Sequence, residues 1–151
     1  MISFIPTTAE HINTLRSWIT KDKFSRISTP RFWMTGESLL SFCCQDDSPV
    51  LFVRIDAEGD AARLHTLFGP PEDVSKRRIA ESLAVGFPKI ADELRRQGFK
   101  MAVYESVSPS LIAFMSAFGF IPSTGSSNDF VLEFEASVKI LELGDQCGIN
   151  A

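Results

Sequence analysis

ARLHTLFGPPEDVSKRRIAESLAVGFPKIADELRRQGFKMAVY, residues 62–104, is the stretch on which the fold turns. Its first part, residues 62–68, is a strand-like run closed by Gly69, Pro70 and Pro71. Beyond that break Ile79, Leu83, Phe87, Ile90 and Leu94 recur at intervals of four, four, three and four, which is one face of an α-helix. The acidic pair Glu72 and Asp73 suits the positive end of that helix, and Gly98 ends it at a favoured position. Pro88 removes one backbone donor inside it and predicts a kink or a locally widened turn. Residues 101–104 then read as a second strand. A long helix between two neighbouring strands is a βαβ connection, so the strands around Leu67 and Val103 are expected to run parallel in one sheet.

Towards the N-terminus, residues 39–45 and 50–55 are two β-rich runs separated by Asp46, Asp47, Ser48 and Pro49, the chemistry of a hairpin turn. A further turn at 57–60 leads into the strand at 62–68, so three strands form an antiparallel meander. Residues 1–5, closed by Pro6, read as the first strand. Thr7 or Thr8 caps a helix whose face is Ile12, Leu15, Trp18 and Ile19. The pattern blurs over residues 21–36, which are expected to hold one short helix and a mobile loop. Towards the C-terminus, Ser108 or Pro109 opens a short helix through Phe118, and strands follow at 120–123 and 130–134. Residues 1–135 are therefore read as one α/β domain with a central mixed sheet and helices on both faces, and residues 136–151 as a C-terminal tail. Residues 138–143 of that tail are apolar enough to add a strand or to pack on a partner, which leaves a homodimer open.

The chain of 151 residues has ordinary globular composition, 44% hydrophobic and 23% charged, and thirteen Phe supply much of its core. A formal charge of -4 gives no electrostatic case for nucleic acid, because neutralising phosphates needs a basic face. No run approaches the ~20 apolar residues of a membrane span, and the first residues lack the pattern of a signal peptide, so a cytoplasmic location is expected. Cys43, Cys44 and Cys147 read as reduced thiols, and the first two point to opposite faces of their strand. No metal site is expected, since His11 and His65 are the only histidines and neither lies at ligand spacing from a cysteine.

This order of elements resembles the GNAT superfamily of acyl-CoA-dependent N-acyltransferases over about residues 1–134. The most specific local likeness is VSPSLIAFMSAFGF, residues 107–120, which is similar to the family's segment from strand five into helix four. There Ser108 stands at the position of an Asn and Met115 at that of a Tyr, so the frame is kept while the polar residues are not. A second likeness is residues 72–80, EDVSKRRIA, in the place of the family's R/Q-x-x-G-x-G/A loop, whose amides cradle the CoA pyrophosphate. Ser75 takes the Arg/Gln position, Arg78 the first Gly and Ala80 the second, and only Ala80 fits.

The resemblance implies acetyl-CoA as co-substrate and a small-molecule or protein amine as acceptor. It places Ser75, Lys76, Arg77, Arg78, Ile79 and Ala80 against the pyrophosphate, with Lys76, Arg77 and Arg78 equally readable as a solvated face. Leu67 and Phe68 on the fourth strand, together with Ser108, complete the cofactor set, and the pantetheine arm would run between strands four and five where the sheet splays open. Acyl transfer also needs a base for the ammonium and a proton for the leaving thiolate. His65 and Glu105 are the candidate bases, and Tyr104, the only Tyr, can replace the missing acid if its side chain faces the thioester. Tyr104 and Glu105 are adjacent on a strand and cannot face the same side. Two function classes stay open: an acyl-CoA-dependent N-acyltransferase, preferred on fold-level analogy, and a catalytically silent GNAT-like ligand-binding or regulatory domain. Ser108 and Met115 favour the silent domain, and the basic turn favours the enzyme.

Overall fold

In the computed structural model, which describes residues 1–22, 29–34, 38–125 and 127–134, seven strands form one sheet in the order β1-β2-β3-β4-β5-β7-β6. The strands are β1 (Ser3–Pro6), β2 (Leu40–Gln45), β3 (Pro49–Glu58), β4 (Ala61–Phe68), β5 (Met101–Glu105), β6 (Ile121–Pro122) and β7 (Asp129–Glu133). Four helices accompany them: α1 (Ile12–Lys21), α2 (Pro30–Met34), α3 (Lys76–Arg96) and α4 (Pro109–Ser116). The predicted tail at 136–151 and Cys147, and most of the loop expected between the first two helices, lie outside the described residues.

The expected meander is present, β1 through β4 pairing antiparallel in sequence. The β3–β4 hairpin is longer than its apolar core suggested, because the register runs without a break from Leu51↔Phe68 to Glu58↔Ala61 around a turn at Gly59. β4 and β5 are the parallel pair, from Ala61↔Met101 to Leu64↔Tyr104. β3 carries Val50, Leu51, Phe52, Val53 and Ile55 buried in succession, the mark of a central strand covered on both faces. On one face His11 and Trp18 stand edge-on to Phe52, at 5.5 and 5.3 Å between ring centres. On the other, α3 packs over Phe4, Phe42, Leu51 and Val53, and a Cβ at its Gly86 would come within 2.9 Å of the Phe4 ring. Only glycine lets the helix approach that closely.

Two expectations are corrected. α3 begins at Lys76 rather than near Glu72, because residues 70–74 form a turn in which the amides of Asp73 and Val74 both donate to Pro70 O. Val74, 2% exposed, seats that turn against Gly69, and Ser75 caps the helix. Glu72 and Asp73 instead face Lys21 of α1, at 3.5 and 3.6 Å. Pro88, where a kink or widened turn is expected, lies inside α3, which runs from Lys76 to Arg96 as one element. The carbonyl freed four residues back, on Ala84, lies like Pro88 on the exposed side where water can satisfy it. The strand expected at 120–123 shrinks to Ile121–Pro122 at the sheet edge, as suits a proline without an amide donor.

Candidate functional site

The parallel pairing of β4 with β5 ends at Leu64↔Tyr104, although β4 runs on to Phe68 and β5 to Glu105. β4 is held over those last residues by β3 on its other side, and β5 by β7, with Glu105 opposite Asp129. The two strands therefore part at their C-terminal ends, as expected for this topology. The peptide groups that face the gap follow from alternation along an antiparallel ladder. The Gly69 amide donates to Val50 O at 3.0 Å, so Leu67 and His65 turn their amides to β3 while Phe68 and Thr66 turn theirs towards β5. Of the two cofactor residues predicted on this strand, Phe68 offers its backbone to the opening, whereas Leu67 is fully buried. Thr66 was missed by sequence reasoning, and counting outward from the Gly69 break would have found it.

The register assigns the candidate acid and bases to opposite faces of the sheet. Tyr104, paired with Leu64, lies on the α3–α4 face, where it stacks on Phe130 at 5.2 Å and meets Phe120 edge-on at 4.9 Å. Its hydroxyl is buried without a hydrogen-bond partner among the described residues, and burial pushes its pKa up, so it stays protonated at neutral pH. Met115 of α4 is also buried, 5% exposed.

On the α1–α2 face the side chains are charged. His65 is cross-strand from Arg54, and its Nε2 lies 3.3 Å from Asp56 Oδ2. Arg54 donates Nε to both Asp56 oxygens, at 3.1 and 3.0 Å, and Nη1 to the carbonyl of Phe32 at 2.8 Å. The Phe32 ring lies under the Arg54 guanidinium at 4.2 Å and edge-on to His65 at 5.3 Å. Burial lowers the His65 pKa, the Asp56 carboxylate opposes that shift, and the ring is neutral at pH 7. Arg63 braces the base of the opening: it donates Nη1 and Nη2 to Asp129 at 3.0 and 3.1 Å, and Nε to Glu58 at 2.7 Å. These contacts push the Arg63 pKa up and hold the Asp129 carboxyl below the usual range. Glu105 is exposed on this same face. His65 and Glu105 thus share one side, and Tyr104 points to the other.

At the start of α3, Ser75 Oγ accepts from the Arg78 amide at 3.2 Å and Ser75 O accepts from the Ile79 amide at 3.2 Å. Ala80 lies one turn into the helix, so its amide too belongs to the helical ladder. Lys76 and Arg77 keep the two N–H groups that have no intrahelical acceptor. The Arg77 side chain pairs with Glu81 at 2.9 Å and is largely exposed. Arg78 does not point outward: it donates Nε to Asp46 Oδ2 at 2.8 Å and Nη2 to Asp46 Oδ1 at 2.6 Å and Ser48 Oγ at 2.8 Å. Ser108 caps α4, its Oγ accepting from the Leu111 amide at 3.5 Å. A helix start and an open strand edge are both donor-rich and can accommodate an extended anionic ligand such as CoA.

This sheet order, with its single parallel pair splayed beside the start of α3, is the GNAT fold. Solved acetyltransferase structures bear this out. A GNAT-family acetyltransferase from Staphylococcus aureus Mu50 superposes with a TM-score of 0.65 at 14% identity, over 88% of this chain and 99% of that one. An aminoglycoside acetyltransferase in complex with coenzyme A and kanamycin gives 0.66 at 12% identity, over 92% and 98%. The ribosomal-protein-S18-alanine N-acetyltransferase of Escherichia coli gives 0.60 at 16% identity, over 87% and 91%. No family sequence model matches the chain, and no curated protein matches it in sequence. At these identities the likeness is one of fold.

Proposed function

We propose that the protein is an acyl-CoA-dependent N-acyltransferase, with acetyl-CoA as donor and a small-molecule or protein amine as acceptor. The observation that carries this reading is the opening of β4 from β5 after Leu64 and Tyr104, with a neutral His65, its Nε2 3.3 Å from the Asp56 carboxylate, immediately beyond it. Lys76 and Arg77 bind the pyrophosphate through their free amides, and the peptide edge at Thr66 and Phe68 holds the pantetheine arm and polarises the thioester carbonyl. His65 takes the proton of the attacking amine, with Glu105 on the same face drawing the cationic acceptor in. The new C–N bond forms as the C–S bond breaks, and the Tyr104 hydroxyl supplies the proton that the leaving thiolate needs.

The silent-domain reading is favoured by two observations: Met115 offers no proton, and the Arg78 guanidinium is already occupied by Asp46 and Ser48. Acetyl-CoA decides between them. A ligand at 100 times its dissociation constant stabilises by ~2.7 kcal/mol, which a melting curve resolves. Free CoA release is then followed with kanamycin and with a peptide beginning in alanine as acceptors. The paired change Lys76→Glu with Arg77→Glu is expected to weaken acetyl-CoA more than tenfold. Arg95→Glu with Arg96→Glu, at the far end of α3, makes the same change in net charge and should leave binding nearly intact. Equal losses from the two pairs would indicate only a general electrostatic effect and reject the pyrophosphate site at Lys76 and Arg77, and no binding at millimolar acetyl-CoA would reject the enzyme reading.

A further inference from the structure

His65 has a neighbour whose chemistry the acyl-transfer reading does not use. Asp56 lies two residues along β3 from Arg54, the cross-strand partner of His65, and so sits diagonally opposite the imidazole on the same face. The two contacts of the Asp56 carboxylate are set by donors of different kinds. Arg54 can only donate, and it does so to both oxygens while its other end is tied to the carbonyl of Phe32. The ring of Phe32 closes the far side of both Arg54 and His65, so neither can swing away without leaving an aromatic contact. The side chains of Arg54, Asp56 and His65 are 14%, 25% and 33% exposed, so all three are partly covered and the imidazole is the most open of them.

We propose that Asp56, held by Arg54, is a positioning residue that fixes His65 with its proton on Nε2, leaving Nδ1 as the nitrogen that accepts a proton from the acceptor amine. An ionised carboxylate 3.3 Å from Nε2 can only accept, and its negative charge favours the tautomer of the neutral ring that carries its hydrogen on that nitrogen. This inference rests on the reading of His65 as the base. The charged groups around the ring are Asp56 and Arg54 from β3, Arg63 on its own strand and Glu58 at the hairpin end. Asp129 on β7 and Glu105 on β5 complete the same face, and α2 contributes Phe32. The carboxylates of Asp56 and Glu58 favour the imidazolium, and burial with Arg54 and Arg63 disfavours it, so the ring titrates below its ordinary value.

The test is imidazole 15N NMR on the whole chain, which has two histidines, with His65→Gln assigning the signals. His11 is an internal reference, because its Nδ1 accepts from the Thr8 amide at 3.0 Å and its proton is therefore also on Nε2. In the unmodified protein His65 should show the Nε2–H form. In Asp56→Asn, Arg54 selects the amide oxygen, the amide nitrogen turns to Nε2, and His65 should switch to the Nδ1–H form while His11 stays unchanged. With acetyl-CoA and an accepted amine, the same variant should lose at least about 100-fold in kcat, as expected when a base is held in the wrong tautomer, with KM for acetyl-CoA unchanged. Asp56→Glu, which restores a carboxylate, should recover part of it. A Nδ1–H form in the unmodified protein, or no switch in Asp56→Asn, overturns the proposal. A switch without loss of turnover overturns it as well. Failure of the protein to bind acetyl-CoA would remove the enzyme reading, while the tautomer measurement still decides whether Asp56 positions His65.

Discussion

Replacing Arg78 by Ala tests how the start of α3 is anchored to the β2–β3 turn. The guanidinium makes two bonds to the Asp46 carboxylate and two to Ser48, at 2.8, 2.6, 3.2 and 2.8 Å. About three-quarters of each charged side chain is covered, with 27% of Arg78 and 25% of Asp46 exposed. A fully exposed pair is worth ~0.2–1 kcal/mol and a shielded charge-assisted bond ~1.5–3, so the Arg78–Asp46 coupling should fall near ~1–2 kcal/mol. Arg78→Ala also forfeits the Ser48 contacts and should cost about 2 kcal/mol, or a Tm lower by roughly 4–8 °C for a chain of this size. Asp46→Ala removes as well the carboxylate that accepts from the Asp47 amide at 2.6 Å, and should cost a similar amount. Urea unfolding of the unmodified protein, the two single variants and the double variant gives the coupling directly. The pH dependence has a fixed sign. Arg78 holds the Asp46 carboxyl far below the usual range, so the contribution is complete above the unfolded value of ~3.9 and fades as pH falls towards the folded one. A coupling under about 0.3 kcal/mol at pH 7, which is within the additivity error of independent sites, or one undiminished in acid, would refute this reasoning.

Gly69→Ala should destabilise by about 1–3 kcal/mol, because the new Cβ would lie 2.1 Å from Val74 Cγ2 and 3.1 Å from the Trp18 ring; unchanged urea unfolding would show that the 70–74 turn yields freely. Tyr104→Phe removes a buried hydroxyl that has no partner among the described residues, so stability should hold or rise by up to about 1 kcal/mol even as turnover falls. A clear drop in Tm would mean that the hydroxyl is bonded after all. Cys43 and Cys44 should resist a thiol reagent at pH 8 in a Cys147→Ser background and react once unfolded. Burial pushes the Cys43 thiol up to about 12 and raises that of Cys44 as well, and the thiolate is the reactive form. Rapid native-state reaction would show that β2 opens readily.

The parts of the fold that were legible in the sequence are those set by local chemistry. The intervals of Ile79, Leu83, Phe87, Ile90 and Leu94 need only helical periodicity, and Asp46 to Pro49 needs only turn propensity. The start of α3 was displaced because it is set by Val74 packing on Gly69, a tertiary contact that pre-empts the dipole preference of Glu72 and Asp73. Arg78 reads as a free cation beside Lys76 and Arg77, and only the structure joins it to Asp46, 32 residues earlier. The Asp56–His65 pair was closer to hand. Once the hairpin is counted from Glu58↔Ala61, the register puts Arg54 opposite His65 and Asp56 on the diagonal.

The sheet also separates two chemistries that a transferase would need to keep apart. The α3–α4 side of the opening is aromatic, with Tyr104 held between Phe120 and Phe130, and there a hydroxyl stays protonated. The α1–α2 side carries the Arg54–Asp56 and Arg63–Asp129 ion pairs, with His65 Nε2 3.3 Å from Asp56, and there burial favours a neutral imidazole. Adjacent residues on a strand face opposite sides, so Tyr104 and Glu105 deliver one group to each environment from a single edge of the gap. A proton donor and a proton acceptor placed on the same face would neutralise each other through a direct hydrogen bond. On the proposed reading, division by the sheet lets Tyr104 stay a proton donor and His65 a proton acceptor, and a ligand in the gap is what would bring the two roles together.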